Sequence, residues 1–357
     1  MSAHQSGELN LRQAFHELNK AERTGDYERV LKTCNRILKV AQNDSLVLRY
    51  KVLSLIHLSK FEEALQFIKK ITSLVSKPKS RDAGEFIFEK AYCEYRMNRP
   101  AEALKTLRDA GGELDFRCKE LMAQLHYRLE EYDECYRLYK DLVKNSADEF
   151  DNEREANLLA VCAQLRYSNE HQPEVQSVAA DSFEQLYNNA CGLIAAKEYA
   201  EALNVLGEAE VKYNSSISNQ EDHTDDELTT IKLQKAYCLH MLKQVEEASK
   251  IYALILDQKP NDPTLVAIAS NNLVCIRRDQ NLFDSRKKLK LCQTHQLTQK
   301  FTTRQRASIC LNNTLLMYFS NQVHLCSWKI LFSSGFIVTA KREMKHLVDV
   351  AHSCPQK

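Results

Sequence analysis

The amino-acid sequence predicts an all-α protein of repeated helix-turn-helix units stacked as a superhelical solenoid. Three observations predict it. Glycine (8) and proline (6) are scarce in 357 residues, which favours long helices and short connections over sandwiches or doubly wound sheets. The motif Glu62-Glu63-Ala64-Leu65 returns as Ala101-Glu102-Ala103-Leu104, Ala200-Glu201-Ala202-Leu203 and Glu246-Glu247-Ala248-Ser249. A second motif, Lys90-Ala91-Tyr92-Cys93, returns unchanged as Lys235-Ala236-Tyr237-Cys238, and in both places the alanine of the first motif follows 12 residues on, at Ala103 and Ala248.

The period sets the repeat type. Tyr27 and Phe61 lie 34 residues apart, as do Val30 and Ala64, and a period of about 34 is that of the tetratricopeptide unit. Ala103 to Cys135 is 32 residues. Cys135 to Ala202 is 67, leaving room for a degenerate repeat, and Ala202 to Ala248 is 46, one repeat plus an insertion. Repeats are expected at 11–44, 45–78, 84–115, 116–148, 149–182 (degenerate), 183–218, 229–262 and 263–296 (degenerate), followed by a lone first helix from Thr303 to Phe319. Small residues Ala91, Ala123, Ala190 and Ala236 fall on first helices, and Ala64, Ala103, Ala202 and Ala248 on second helices. Such residues let two helix axes approach, while Ile68, Leu107, Tyr139, Leu206 and Tyr252 fill the space around the crossing. Leu48, Val52 and Leu55 recur at helical steps, as one buried face requires. Gly25 falls in the first turn, and Asp262-Pro263 reads as an N-cap followed by proline at the first helical position. A basic loop (76–84) and a polar loop (214–227) with Glu221, Asp222, Asp225, Asp226 and Glu227 interrupt the array; a solvated acidic loop is the expectation for the second. The solenoid is expected over 1–322, with a divergent tail at 323–357, poorly ordered or interfacial.

Composition excludes several classes. Lys+Arg (49) and Asp+Glu (48) balance, unlike a protein that holds nucleic acid by its whole surface. Met1 to Arg12 holds no apolar run, so no secretory signal is expected. The twelve cysteines are scattered singly. Cys93, Cys135, Cys162, Cys191, Cys238, Cys275 and Cys310 sit among apolar helical residues, as buried reduced thiols do. Cys292 and His295 have ligand-like spacing but no second pair nearby, so no metal is expected. No phosphate-loop, dinucleotide, zinc-protease or nucleophile-elbow motif occurs; neither catalysis nor a cofactor is expected.

Function should then lie on the concave face, at first-helix positions not used for packing. These are Leu46, Arg49, Leu53, Ile56 and His57 in the second repeat, Glu85, Phe88, Tyr92, Tyr95 and Arg96 in the third, and Arg117, Glu120, Gln124, Tyr127 and Arg128 in the fourth. Tyr-Arg pairs recur at equivalent places, and both residue types concentrate interface energy. Arg49, Leu53, Phe88, Tyr92, Tyr95, Arg96, Gln124, Tyr127 and Arg128 are the candidate protein-binding residues. Arg277, Arg278, Arg286, Lys287, Lys288 and Lys290 form a weaker candidate RNA contact, since such clusters on a balanced chain are more often a solvated face.

Phe88–Arg99 (FEKAYCEYRMNR), Tyr127–Ser146 (YRLEEYDECYRLYKDLVKNS) and Asp279–Leu291 (DQNLFDSRKKLKL) closely resemble the family of the 72-kilodalton protein of the signal recognition particle, and the likeness runs from about Leu11 to Gln322. The polar residues of these phrases are not demanded by repeat packing. The resemblance implies a scaffold that grips the particle's 68-kilodalton protein through its repeats. It also implies a role in co-translational targeting to the endoplasmic reticulum, from a cytoplasmic location with nucleolar passage during assembly. The family's RNA contact lies in a lysine-rich C-terminal tail. Here Val323–Ala340 (VHLCSWKILFSSGFIVTA), with Trp328, stands after Gln322 instead, so 7S RNA and the ribosome are expected to be reached mainly indirectly. That run is too interrupted for a membrane span. Two alternatives stand beside this reading. One is a co-chaperone or adaptor that binds peptide termini, for which Asn19 suits a carboxylate clamp but Phe15 and Tyr50 do not. The other is a direct RNA-binding subunit.

Overall fold

The structure is a computed structural model, described here for residues 3–74, 86–111, 114–145, 148–168, 182–216, 226–278, 280–294, 297 and 299–319. All regular secondary structure among these residues is α-helix. The chain forms two compact units that divide after Asn145. The basic loop at 76–84, most of the acidic loop and the tail from 323 lie outside the described residues.

The first unit holds four helix pairs: α1 (Ala3–Arg23) with α2 (Tyr27–Ile37), α3 (Ser45–His57) with α4 (Phe61–Leu74), α5 (Ile87–Arg96) with α6 (Pro100–Asp109), and α7 (Phe116–Arg128) with α8 (Tyr132–Asn145). The second begins with α9 (Asp151–Ser168), in the first part of the expected degenerate repeat, whose residues 169–181 lie outside the described ones. It continues with α10 (Phe183–Ala195) and α11 (Tyr199–Ser216), α12 (Asp226–Met241) and α13 (Val245–Gln258), α14 (Pro263–Arg277) and α15 (Leu282–Leu291), and ends on α16 (Thr303–Phe319). The eight alanines at the helix crossings are all fully buried, and Ile68, Leu107, Tyr139, Leu206 and Tyr252 are buried around them. With no space left at these crossings, replacing Ala103 by leucine is expected to cost about 1–3 kcal/mol by overpacking. Urea unfolding read by circular dichroism checks this, with the loss confined to the first unit.

Helix starts follow the side chains available. Asp26, Asp44 and Asp115 accept from the amides of Arg29, Val47 and Cys118 at 3.0, 3.0 and 2.8 Å. Asp262 accepts from the Thr264 amide at 3.0 Å, with Pro263 opening α14. Asp226, read from the sequence as part of a solvated loop, is instead a structural acceptor. Its carboxylate takes the amides of Asn261 at 2.9 Å and Asp262 at 3.0 Å.

Six of the seven turns inside the pairs share one form. Gly25, Ser59, Asn98, Glu130, Lys197 and Lys243 all adopt φ between 57° and 69°. In each turn this residue's amide donates to the carbonyl three residues back, and the next amide to the carbonyl five back, as Gly25 to Glu22 and Asp26 to Ala21. These are Schellman turns, which favour glycine because a side chain in the left-handed region is strained. Only the first position carries it. Lys197→Gly is therefore expected to raise stability by about 0.5–1 kcal/mol, seen as a higher urea midpoint at unchanged slope.

The second unit is buried more evenly. α14 hides residues on every side, Asn271 and Asn272 among them. Their amides are used internally: Asn312 Nδ2 donates to Asn271 Oδ1 at 3.0 Å, and Asn272 Nδ2 to the Tyr252 hydroxyl at 3.3 Å. The Arg304 guanidinium lies 4.4 Å from the Tyr167 ring centroid, tying α16 to α9. At the start of α9 the buried Arg154 guanidinium is held by Asp148 at 2.7 and 2.9 Å and by Asp151 at 3.0 Å.

Candidate protein-binding surface

In the first unit, successive first helices α3, α5 and α7 pack against one another, while successive second helices make no comparable contact. The first-helix side is thus the inner side, and the candidate residues lie on its helices. Phe88, Tyr92 and Tyr95 are half-buried on α5, where they cover the core cluster of Ala91, Leu104, Leu107 and Leu125. Tyr127 and Arg128 are half-buried on α7, and Arg96 is exposed at the end of α5.

Rings and guanidinium groups interlock here. The Arg96 guanidinium sits 4.8 Å from the Phe61 ring centroid and 5.7 Å from that of Tyr92, and its Nη1 donates to the Tyr92 hydroxyl at 2.8 Å. Tyr92 stacks on Phe88 at 6.0 Å and meets Phe61 edge-on at 6.4 Å. Arg117 of α7 lies 4.8 Å from the Phe88 centroid. Arg128 lies 5.3 Å from that of Tyr95, and its Nη2 donates to Asn98 Oδ1 at 3.3 Å. Tyr127 meets Tyr132 edge-on at 5.6 Å. A guanidinium on an aromatic face is weakly hydrated and fixed in place, yet keeps N–H edges free for an acceptor. Side chains held in this way lose little ordering entropy when an acceptor such as a carboxylate or carbonyl meets them.

Of the remaining candidates, Arg49 is exposed and Leu53 half-buried on α3, and Gln124 is half-buried on α7. Sequence reading placed His57 on the concave face without naming it as a binding residue, and left Phe61 and Tyr27 out altogether. The 34-residue spacing of Tyr27 and Phe61 was the available signal. Each ring opens a second helix and meets the side chain that ends the next first helix. Tyr27 stacks on His57 at 4.0 Å, as Phe61 does on Arg96.

The candidate RNA cluster is partly consumed within the protein. Asp284 binds Arg277 at 2.6 Å and Lys288 at 3.1 Å, and these two hydrogen-bonded cations hold its carboxyl below the usual carboxylate range. Arg286 is half-buried, while Arg278, Lys287 and Lys290 are exposed. The thiols serve packing. Burial pushes Cys93, Cys118, Cys238 and Cys292 up to about 12 and Cys34 to about 11. Cys292 Sγ donates to the carbonyls of Ala267 and Lys288, both at 3.4 Å, and His295 lies outside the described residues. Among the described residues no three potential ligands gather as a metal site, and no helix is long and apolar enough to cross a membrane.

Comparison with known proteins agrees with this architecture. A family model described as "Putative TPR-like repeat" matches residues 30–164. Signal recognition particle subunit SRP72 of Canis lupus familiaris and that of Homo sapiens are each 38% identical over 330 residues, covering 91% of this chain and 48% of theirs. The Schistosoma mansoni subunit is 35% identical over 326 residues, covering 90% of this chain and 45% of its own. The chain spans about half the length of the curated relatives it matches. Repeated helix pairs and this identity across nine-tenths of its residues together make the chain an SRP72-like protein.

Proposed function

We propose that the chain is a non-catalytic scaffold of the signal recognition particle that binds the particle's 68-kilodalton protein through the inner face of its first unit. In this role it supports co-translational targeting to the endoplasmic reticulum from the cytoplasm. The observation that carries the reading is the ring-guanidinium surface on α5 and α7, on a chain related to SRP72 over nine-tenths of its length. Rigid aromatic and arginine anchors are what a protein-binding surface uses. A clamp for peptide termini is less well supported, because Phe15 and Tyr50 pack against the core of the first repeats. Co-purification of the tagged chain with identification of its partners tests the proposal. The 68-kilodalton protein is expected as the main stoichiometric partner, and its absence from a salt-stable complex would sink the reading.

RNA contact by this chain itself is expected to be weak. With Arg277 and Lys288 committed to Asp284, three exposed cations remain in that cluster. The log–log salt slope for 7S RNA should then be no steeper than about −3. A much steeper slope that vanished when Arg286, Lys287, Lys288 and Lys290 were neutralised would reverse this expectation.

A further inference from the structure

The first helices of the first unit all end on a basic side chain: Arg23 on α1, His57 on α3, Arg96 on α5 and Arg128 on α7. Each stands two residues before the left-handed turn residue of its pair, at Gly25, Ser59, Asn98 and Glu130. They therefore form one column along the inner side, one member per repeat. A basic residue at a helix C-terminus is favoured by the helix dipole alone, but the dipole does not account for the whole pattern. The same turn in the second unit, at Lys197 and Lys243, is preceded at the equivalent position by Ala195 and Met241. Counting all equivalent inner positions of the first unit, arginine occurs at 12, 23, 49, 96, 117 and 128, against glutamate at 22 and 120 among the described residues, and of these arginines Arg117 is paired with Asp115 at 3.5 Å. The chain as a whole is charge-balanced, so the excess is local. Arg96 and Arg128 are held by rings and by neutral oxygens of Tyr92 and Asn98 rather than by carboxylates.

We infer that the inner face of the first unit takes an acidic, extended polypeptide segment whose carboxylates meet this column. The inference rests on the protein-binding reading above and names the chemistry of the bound segment. Packed helices stand about 8–10 Å apart, and an extended chain advances about 3.3 Å per residue. One carboxylate per repeat therefore means an acidic residue at about every third position. The residues between them would cover Leu53, Ile56, Tyr92 and Tyr95, which lie half-buried at the centre of the face.

The test uses the full chain and fluorescein-labelled peptides of about fourteen residues, with acetylated and amidated ends, read by anisotropy at about 50 and about 300 mM salt. One peptide carries glutamate at every third position; the others carry glutamine or lysine there. The glutamate peptide is expected to bind at least about tenfold more tightly than the glutamine peptide and to weaken with salt, and the lysine peptide not to bind. Arg23→Gln, Arg96→Gln and Arg128→Gln together should remove most of that preference while the circular dichroism spectrum is kept. Equal binding of the glutamate and glutamine peptides, no binding of either, or an unchanged preference in the triple variant would overturn the inference. So would a uridylate oligonucleotide that bound the same column more tightly than the glutamate peptide and lost binding in the triple variant. Capture of the 68-kilodalton protein is read separately. If the wild-type and triple-variant chains captured it equally and without salt dependence, the acidic-segment inference would fail and the partner reading would stand. If neither captured it, the partner reading would fail, and the peptide arms would still decide the inference.

Discussion

Replacing Tyr92, Tyr95, Arg96, Tyr127 and Arg128 together by alanine should abolish capture of the 68-kilodalton protein, with affinity falling at least about a hundredfold. True interface anchors cost about 2 kcal/mol or more each on truncation, and their effects are not additive. Loss of two anchors would already produce that fall. The substitution dismantles the surface described above: the Arg96–Tyr92 hydrogen bond at 2.8 Å and the Arg128–Tyr95 contact at 5.3 Å. Tyr92 and Tyr95 also cover the core of the third and fourth pairs, so the five-fold variant carries a stability cost as well. The conservative set Tyr92→Phe, Arg96→Gln and Arg128→Gln keeps the apolar cover and removes only polar and charged contacts. It should retain the unfolding midpoint within a few degrees yet still weaken capture by about tenfold. Wild-type capture by both variants would remove this face from consideration and leave the fold untouched.

Acid should weaken the second unit through His240. Burial, aided by the positive charges of Lys243 and Arg278, pushes this imidazole down to about 4 from an ordinary 6.5. The folded state then binds the proton more weakly than the unfolded state does. Its contribution to stability is complete above about pH 6.5 and is lost as pH falls towards about 4. The shift corresponds to about 3 kcal/mol. His240→Phe, similar in size and unable to titrate, should flatten the dependence of the urea midpoint on pH between about 4.5 and 7. Parallel midpoint curves for the two proteins would show that His240 does not set the acid limit.

The repeat was legible because its packing is local and small-residue driven. Alanine at the crossings, aspartate at helix starts and the 34-residue spacing of Tyr27 and Phe61 each report a constraint inside one or two adjacent helices. Ala103, Asp262 and the Thr303–Phe319 helix accordingly stand where the sequence places them. Five of the six left-handed turns were not visible, because Ser59, Asn98, Glu130, Lys197 and Lys243 carry no glycine signal. Their hydrogen-bond pattern overrides residue preference. Asp284 is a similar case. From the sequence Arg277 and Lys288 read as members of a basic run, and only the fold brings both to one carboxylate.

The identical tetrapeptides at 90–93 and 235–238 separate what each level decides. Sequence alone determined that both lie on first helices, with alanine and cysteine facing inwards, and all four of those side chains are fully buried. Tertiary structure decided the fate of the tyrosine. In the first unit Tyr92 is half-buried and offers its hydroxyl to Arg96 on an accessible inner face. In the second, Tyr237 is buried in the core cluster with Ala190, Cys191 and Ile231. The physical reason is that helical periodicity fixes which side of a helix a residue occupies, whereas the elements packed opposite that side come from distant parts of the chain and decide whether it meets solvent or core.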